Sequence, residues 1–275
     1  MNVVRWGALR QNVGLTVGLV TIAVLLLAAF LSPLPHNPLA PNAAATLAHP
    51  GSRYWFGTDT SGFDVFSRTI RAARLDLPLA LLGTIVSMLI GVPVGLFASG
   101  RSRTAEALMR CLDVFQAFPL LILALAIVAL TGNQLRNIVL AIAIINVPTF
   151  IRLVRSQSLT LRSARFVEAA RAIGASERRV LLRHILPNAA APITAQAALT
   201  AAQSIVVIAA MTFIGIGITP PQASWGAMIQ TGSAQVATGG WWVSFFPGLA
   251  ILIVVASFNL IADGAQRLLS PTSRG

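Results

Sequence analysis

The chain has 275 residues, of which 56% are hydrophobic and 10% charged, and its formal net charge is +12. An ordinary soluble domain carries about 25% charged residues, so this composition excludes one and points to a polytopic membrane protein. The positive charge does not indicate nucleic acid as a partner, because the arginines flank apolar runs instead of forming a solvated patch with interleaved aromatics.

Residues 1 to 11 are short and carry Arg5 and Arg10, and the run from 13 to 31 is free of charge. A signal peptide has an apolar core of about 7 to 15 residues and a small-x-small cleavage site. This core is longer and runs into Ser32-Pro-Leu-Pro, which predicts a retained first span with a cytoplasmic N-terminus. Residues 33 to 75 are polar and Pro-rich, and read as a loop whose Gly and Asp residues form turns. A second span is predicted at about 77 to 100, with Pro78, Gly91, Pro93 and Gly95 accommodated by neighbouring helices. Arg101, Arg103 and Arg110 follow it. A third span is predicted at about 114 to 131, with Asp113 placed to cap it and Gly132-Asn-Gln as a turn. The fourth, about 137 to 155, has a short uncharged core that Arg152 and Arg155 lengthen by snorkelling. Spans five and six are predicted at about 189 to 218 and 243 to 262. Two regions follow, residues 1–75 with one span and a loop, and residues 76–271 as a membrane core.

Between spans four and five lies a charged island. From Arg152 to Arg183 the chain carries eight arginines and two glutamates, whereas His184 to Ala262 contains no Asp, Glu, Lys or Arg. From Ser163 to Ile173 the apolar Phe166, Ala170 and Ile173 share one face with Val167 beside them. Gly174 is suited to end that helix in a left-handed conformation. Ser176 offers an N-cap for a second helix running to about Ile185, where Pro187 is expected to break it. The expectation is a helix-turn-helix knob with an apolar tip.

The residues Glu168-Ala-Ala-Arg-Ala-Ile-Gly174, running on to Ile185-Leu-Pro187, resemble the EAA loop of bacterial ABC-importer permeases. Two further stretches resemble the dipeptide, oligopeptide and nickel members of that family. One is Phe56-Gly-Thr-Asp-Thr-Ser-Gly-Phe-Asp64 with Ser67-Arg68, similar to L-G-T-D-x-x-G-R-D-x-x-S-R apart from Phe56 and Phe63. The other is Thr212-Phe-Ile-Gly-Ile-Gly through Pro220-Pro-Gln-Ala-Ser-Trp225-Gly-Ala-Met, similar to S-F-L-G-L-G-x-x-P-P-x-P-S-W-G-x-M, with Ala223 where proline is usual.

The resemblance implies an all-α, six-helix type I importer fold with a cytoplasmic coupling helix in the 160–187 loop. It implies that Phe166, Val167, Glu168, Ala169, Ala170, Ile173 and Gly174 meet an ATP-binding subunit, with Ser176, Leu186 and Pro187 shaping the loop. Gly57, Asp59, Gly62, Asp64, Pro220, Pro221, Ser224, Trp225 and Gly226 are the implied external contacts for a binding protein or partner. The implied assembly holds a second permease, two ATP-binding subunits and an external solute-binding protein in a bacterial inner membrane, with ATP and Mg bound by the partners. Peptides are the implied solute, with nickel and glutathione as alternatives.

The residues themselves set limits. No Gly-x-x-x-x-Gly-Lys phosphate loop is present, and no lysine, so the chain is not itself a P-loop ATPase and is expected to be non-catalytic. His36, His49, His184 and the single Cys111 are too scattered for metal-ligand spacing. With both termini inside, fifteen of the twenty arginines fall on the cytoplasmic side, and Arg53, Arg68, Arg71, Arg74 and Arg136 fall outside. Trp225 reads as an interfacial anchor. The competing class is a secondary transporter or channel with a basic loop, which would need no ATPase subunit.

Overall fold

The computed structural model describes residues 12–100, 102–218 and 221–269, and among them it contains helices and no strands beyond an isolated bridge between Thr58 and Asp64. The helices are α1 (Val13–Leu31), α2 (Val65–Phe97), α3 (Arg103–Gln116), α4 (Leu120–Thr131), α5 (Leu135–Arg162), α6 (Arg165–Ala172), α7 (Glu177–Arg179), α8 (Leu186–Asn188), α9 (Ala190–Phe213), α10 (Trp225–Ser233) and α11 (Trp242–Leu269). Five of them are long and apolar enough to cross a membrane, and six spans result if the bent pair α3–α4 counts as one. The bundle has two ends. One carries the long loop of residues 32–64 and the other the arginine-rich loop after α5.

The centre of the bundle is the α2–α5 pair, which comes together because small residues let the backbones approach. A Cβ on Gly91 would lie 2.5 Å from Phe150 Cβ, and one on Gly95 would lie 2.7 Å from Ile151 O. α9 packs on α11, and α1 packs on α11 through Gly18, which faces the backbone of Ser257. Ile138, Ile142, Ile145, Ile205, Ile208 and Met211 fill the space between α5 and α9. On the outside, Val20, Val24 and Leu27 of α1 and Leu252 of α11 stay exposed, as a lipid-facing surface requires.

Three predicted spans differ from the structure. α2 begins at Val65, well before residue 77, so the expected boundary at residue 75 falls inside a helix. Asp64 caps it by accepting the Ser67 N–H at 3.0 Å. Arg68, Arg71 and Arg74 lie in this first part of α2, and a helix can project about 18 Å beyond the lipid in twelve residues. The third span is broken: α3 and α4 meet at 90° across Ala117-Phe-Pro119. Pro119 has no N–H to continue a helix and forces Phe118 out of the helical region. Asp113 caps nothing there and instead pairs with Arg152 at 2.6 Å. α5 is one helix from Leu135 to Arg162, so the fourth span's cationic end is helical throughout.

Candidate functional site

The arginine-rich loop is built much as its local sequence dictates. α6 ends where Gly174 takes φ +82°. Its N–H donates to Arg171 O at 2.9 Å and the Ala175 N–H reaches Ala170 O at 3.0 Å, which is the Schellman arrangement. Ser176 then caps the next turn by accepting the Arg179 N–H. Glu177 accepts from two arginines, Arg162 at 3.0 Å and Arg171 at 2.9 Å. Arg162 also donates to Ser99 Oγ just past α2, and Arg155 to Ala98 O. The ends of α2, α5 and α6 are thereby tied together at one place.

Two expectations for this loop are corrected. Pro187 does not end the helix. Residues Val180–Ile185 widen into a π-helix in which the Leu186 N–H reaches back to Leu181 O, and the wider ladder lets Pro187 sit within the following turn. The predicted apolar tip is also divided. Val167 and Ala170 are buried, Val167 packing with Val154, Val180 and Ile185. Phe166 is 42% and Ile173 87% exposed, with Glu168 and Ala169 exposed beside them. The outward patch is therefore Phe166, Ala169 and Ile173, and Val167 and Ala170 are its anchor.

At the other end, the long loop folds back as a cap. Asp59 Oδ1 accepts the N–H groups of Ser61 at 2.9 Å and Phe63 at 3.0 Å. Burial pushes the Asp59 carboxyl above the ordinary aspartate range, opposed by those N–H groups and by the charge of Arg68. Gly57 and Gly62 have φ of +72° and +83°. A Cβ on Gly57 would lie 2.5 Å from Trp242 Nε1, which itself donates to Thr58 O at 3.1 Å. Arg68, in α2, donates to Pro38 O at 3.1 Å and Pro221 O at 3.3 Å, and its guanidinium lies 4.2 Å from the centre of the Phe63 ring. Phe63 is thus a stacking partner for an arginine where the resembled pattern has an arginine.

Residues 87–275 match the family described as the binding-protein-dependent transport system inner membrane component. The chain belongs to this family. It is 39% identical over 266 residues to a dipeptide transport system permease protein of Alkalihalophilus pseudofirmus, covering 96% of this chain and 87% of the relative. It is 37% identical over 259 residues to a probable D,D-dipeptide transport system permease protein of Escherichia coli, covering 93% and 87%. A glutathione transport system permease protein of Pectobacterium atrosepticum is 38% identical over 223 residues, covering 81% and 74%. Among solved structures, the inward-facing MetNI methionine ABC transporter superposes with a TM-score of 0.61 at 20% identity, covering 74% of this chain and 97% of that one. The chain is a permease subunit of an ABC importer with that family's helical fold.

In this permease the residues expected to meet a binding protein are mostly interior. Gly57, Asp59, Gly62, Asp64, Ser224, Trp225 and Gly226 are buried; Pro221 is exposed and Pro220 lies outside the described residues. Trp225, 1% exposed, is no interfacial anchor: its Nε1 donates to Thr69 O at 2.9 Å, inside the chain. Gly226 is required because a Cβ there would run into Ala209 O of α9. These motif residues lock the cap and α10 onto α2, α9 and α11. The partner of this lock was missed in the sequence. Asp76, 1% exposed in α2, accepts the Trp225 N–H at 2.9 Å and sits 3.4 Å from Ser224 Oγ, which bonds Thr212 Oγ1 at 3.1 Å. The signal was the Leu75-Asp-Leu-Pro78 step, where an acid adjoins an apolar run; placing the loop boundary at 75 hid it.

Proposed function

We propose that this chain is one of two different permeases that form the pathway of a peptide importer, and that α6 couples it to an ATP-binding subunit. The observation that carries the coupling is the division of α6 into a buried anchor, Val167 and Ala170, and an exposed apolar patch, Phe166 and Ile173, set among arginines. An 87% exposed isoleucine beside charged side chains is a surface that a protein groove would cover. The π turn and the Glu177 clamp join this helix to α9 and α5, so a displacement of α6 moves spans and not a slack loop. The arginine-rich end is assigned to the cytoplasm, with both termini, and the capped loop end to the external side, where a solute-binding protein delivers its load. ATP and Mg belong to the partner subunits. Peptides are the proposed solute, supported by relatives named for dipeptide and peptide transport.

The test is purification of the complex from cells that express the chain with its neighbouring transporter genes. A tagged chain should bring down a second permease and ATPase subunits, and binding protein loaded with peptide should stimulate ATP hydrolysis. Isolation of a chain that transports alone, with no ATPase, would favour a secondary transporter and refute the reading.

A further inference from the structure

The break between α3 and α4 opens a cavity of about 500 Å³, lined among others by Gln116, Phe118, Pro119, Asn146, Thr149 and Gln203. Its depth is set by helix geometry. Asn146 lies about 17 Å along α5 from Leu135, and Gln203 about 20 Å along α9 from Ala190, so both are near the middle of spanning helices. Gln116 and Gln203 are exposed at this level, while Asn146 is 2% exposed and donates its amide N–H to Ile142 O at 2.9 Å. Amides facing lipid at that depth would be left without hydrogen-bond partners, which costs several kcal/mol each. Non-helical backbone at membrane depth is likewise tolerated only inside protein or along a water-filled cavity. Ala117-Phe-Pro119 is such backbone, and the first bond of α4 is donated by Leu123 N–H to Pro119 O at 3.0 Å, so the amides before it point free of the helix ladder.

We propose that this cavity is the chain's own solute-contact site, and that Thr149, Gln203 and Gln116 bind the peptide bond and terminal carboxylate of a short peptide in transit. The assignment rests on the reading of the chain as half of a peptide importer. Each primary amide carries a donor and an acceptor, the same pair a peptide bond offers in reverse. The uncapped start of α4 adds backbone N–H groups at the positive end of a helix dipole, suited to a carboxylate. None of the eleven lining residues has an imidazole, thiolate or carboxylate, so the cavity lacks the donors that hold a transition-metal ion stripped of its water. A volume of about 500 Å³ lies within the usual 300 to 1,000 Å³ of small-ligand sites. Binding here is side-chain independent, because the lining reads the peptide backbone and leaves side-chain selection to the binding protein.

The full transporter, reconstituted with its partner permease, ATPases and binding protein, is supplied with an equimolar mixture of dipeptides. Gln203→Leu should raise the KM for uptake about tenfold, as expected for losing one or two hydrogen bonds to a shared backbone, and equally for every dipeptide taken up. Gln203→Asn should recover most of the loss. Cys111 is the chain's only cysteine and is exposed, so Cys111→Ser frees this chain of thiols, and labelling of Gln203→Cys by a charged aqueous methanethiosulfonate is scored on this chain against the Cys111→Ser parent. That label should attach, and the dipeptide mixture should slow it several-fold during turnover. If wild-type transporter takes up no dipeptide, the peptide reading fails and this site with it. If uptake is normal but Gln203→Leu stays within twofold of wild type and labelling is unprotected, the site assignment alone is overturned.

Discussion

Replacing Ile173 and Val167 by aspartate separates the two faces of α6. Ile173 is 87% exposed, so burying it in a partner's groove is worth roughly 1.5 to 3 kcal/mol. Its loss alone weakens docking roughly ten- to a hundredfold, and a carboxylate that must shed its water in an apolar groove weakens it further. Nothing in the permease's own core changes. Val167 is fully buried against Val154, Val180 and Ile185, and an aspartate there places an unpaired charge in that cluster, costing several kcal/mol of local stability. Ile173→Asp should therefore give normal membrane abundance and an unchanged melting temperature for the purified permease, with the ATPase subunits lost on purification. Val167→Asp should lower the melting temperature and increase protease cleavage around residues 163–176, and lose the ATPase only as a consequence. Retention of the ATPase by Ile173→Asp at wild-type strength would refute the docking face, and wild-type melting of Val167→Asp would refute the anchor.

Other outcomes follow from single positions. Gly174→Val meets no atom within 4 Å, so its effect is the cost of a β-branched residue at φ +82°, about 1 to 3 kcal/mol; the complex should assemble, but ATP hydrolysis should no longer respond to loaded binding protein. Gly226→Ala drives a methyl into Ala209 O and should abolish stable accumulation of the chain, whereas Gly248→Ala, with open space at its Cβ, should not. Asp59→Ala strips the acceptor from the Ser61 and Phe63 N–H groups and should destabilise the cap by about 1 to 3 kcal/mol, read as faster proteolysis within residues 32–64. Cysteines replacing Arg53, Asn133 or Thr231 should label from outside the cell and those replacing Arg103 or Ser176 only after permeabilisation; external labelling at Ser176 would overturn the orientation.

The linear chain was enough to establish that this is a membrane protein of several spans, because sustained apolar runs have no other stable environment. It was also enough for the turn at Gly174 and the cap at Ser176, which are local: φ preference and a hydroxyl three residues from an amide need no distant partner. The motif resemblance carried the family, and the type of residue at each motif position was legible. What those motif residues do was not. Trp225 looked like a surface anchor and is an interior donor to Thr69, and Asp76, between the expected loop and span and given no role, is the buried acceptor that holds Trp225.

The same limit divides α6. At about 100° per residue, Ile173, Phe166, Ala170 and Val167 fall on one continuous arc of roughly 120°. Periodicity could therefore give the apolar stripe but not where along it the chain's own core stops and a partner begins. Val154 and Val180 decide that by covering Val167 and leaving Ile173 bare. The broken third span is a similar case. The third span read as continuous through Pro119, and the 90° turn there and the polar cavity beneath it involve Asn146 of α5 and Gln203 of α9 arriving at one depth. Sequence fixes what each segment can be, because caps, periods and apolar length act over a few residues; which face is covered depends on helices that meet only after the chain has folded.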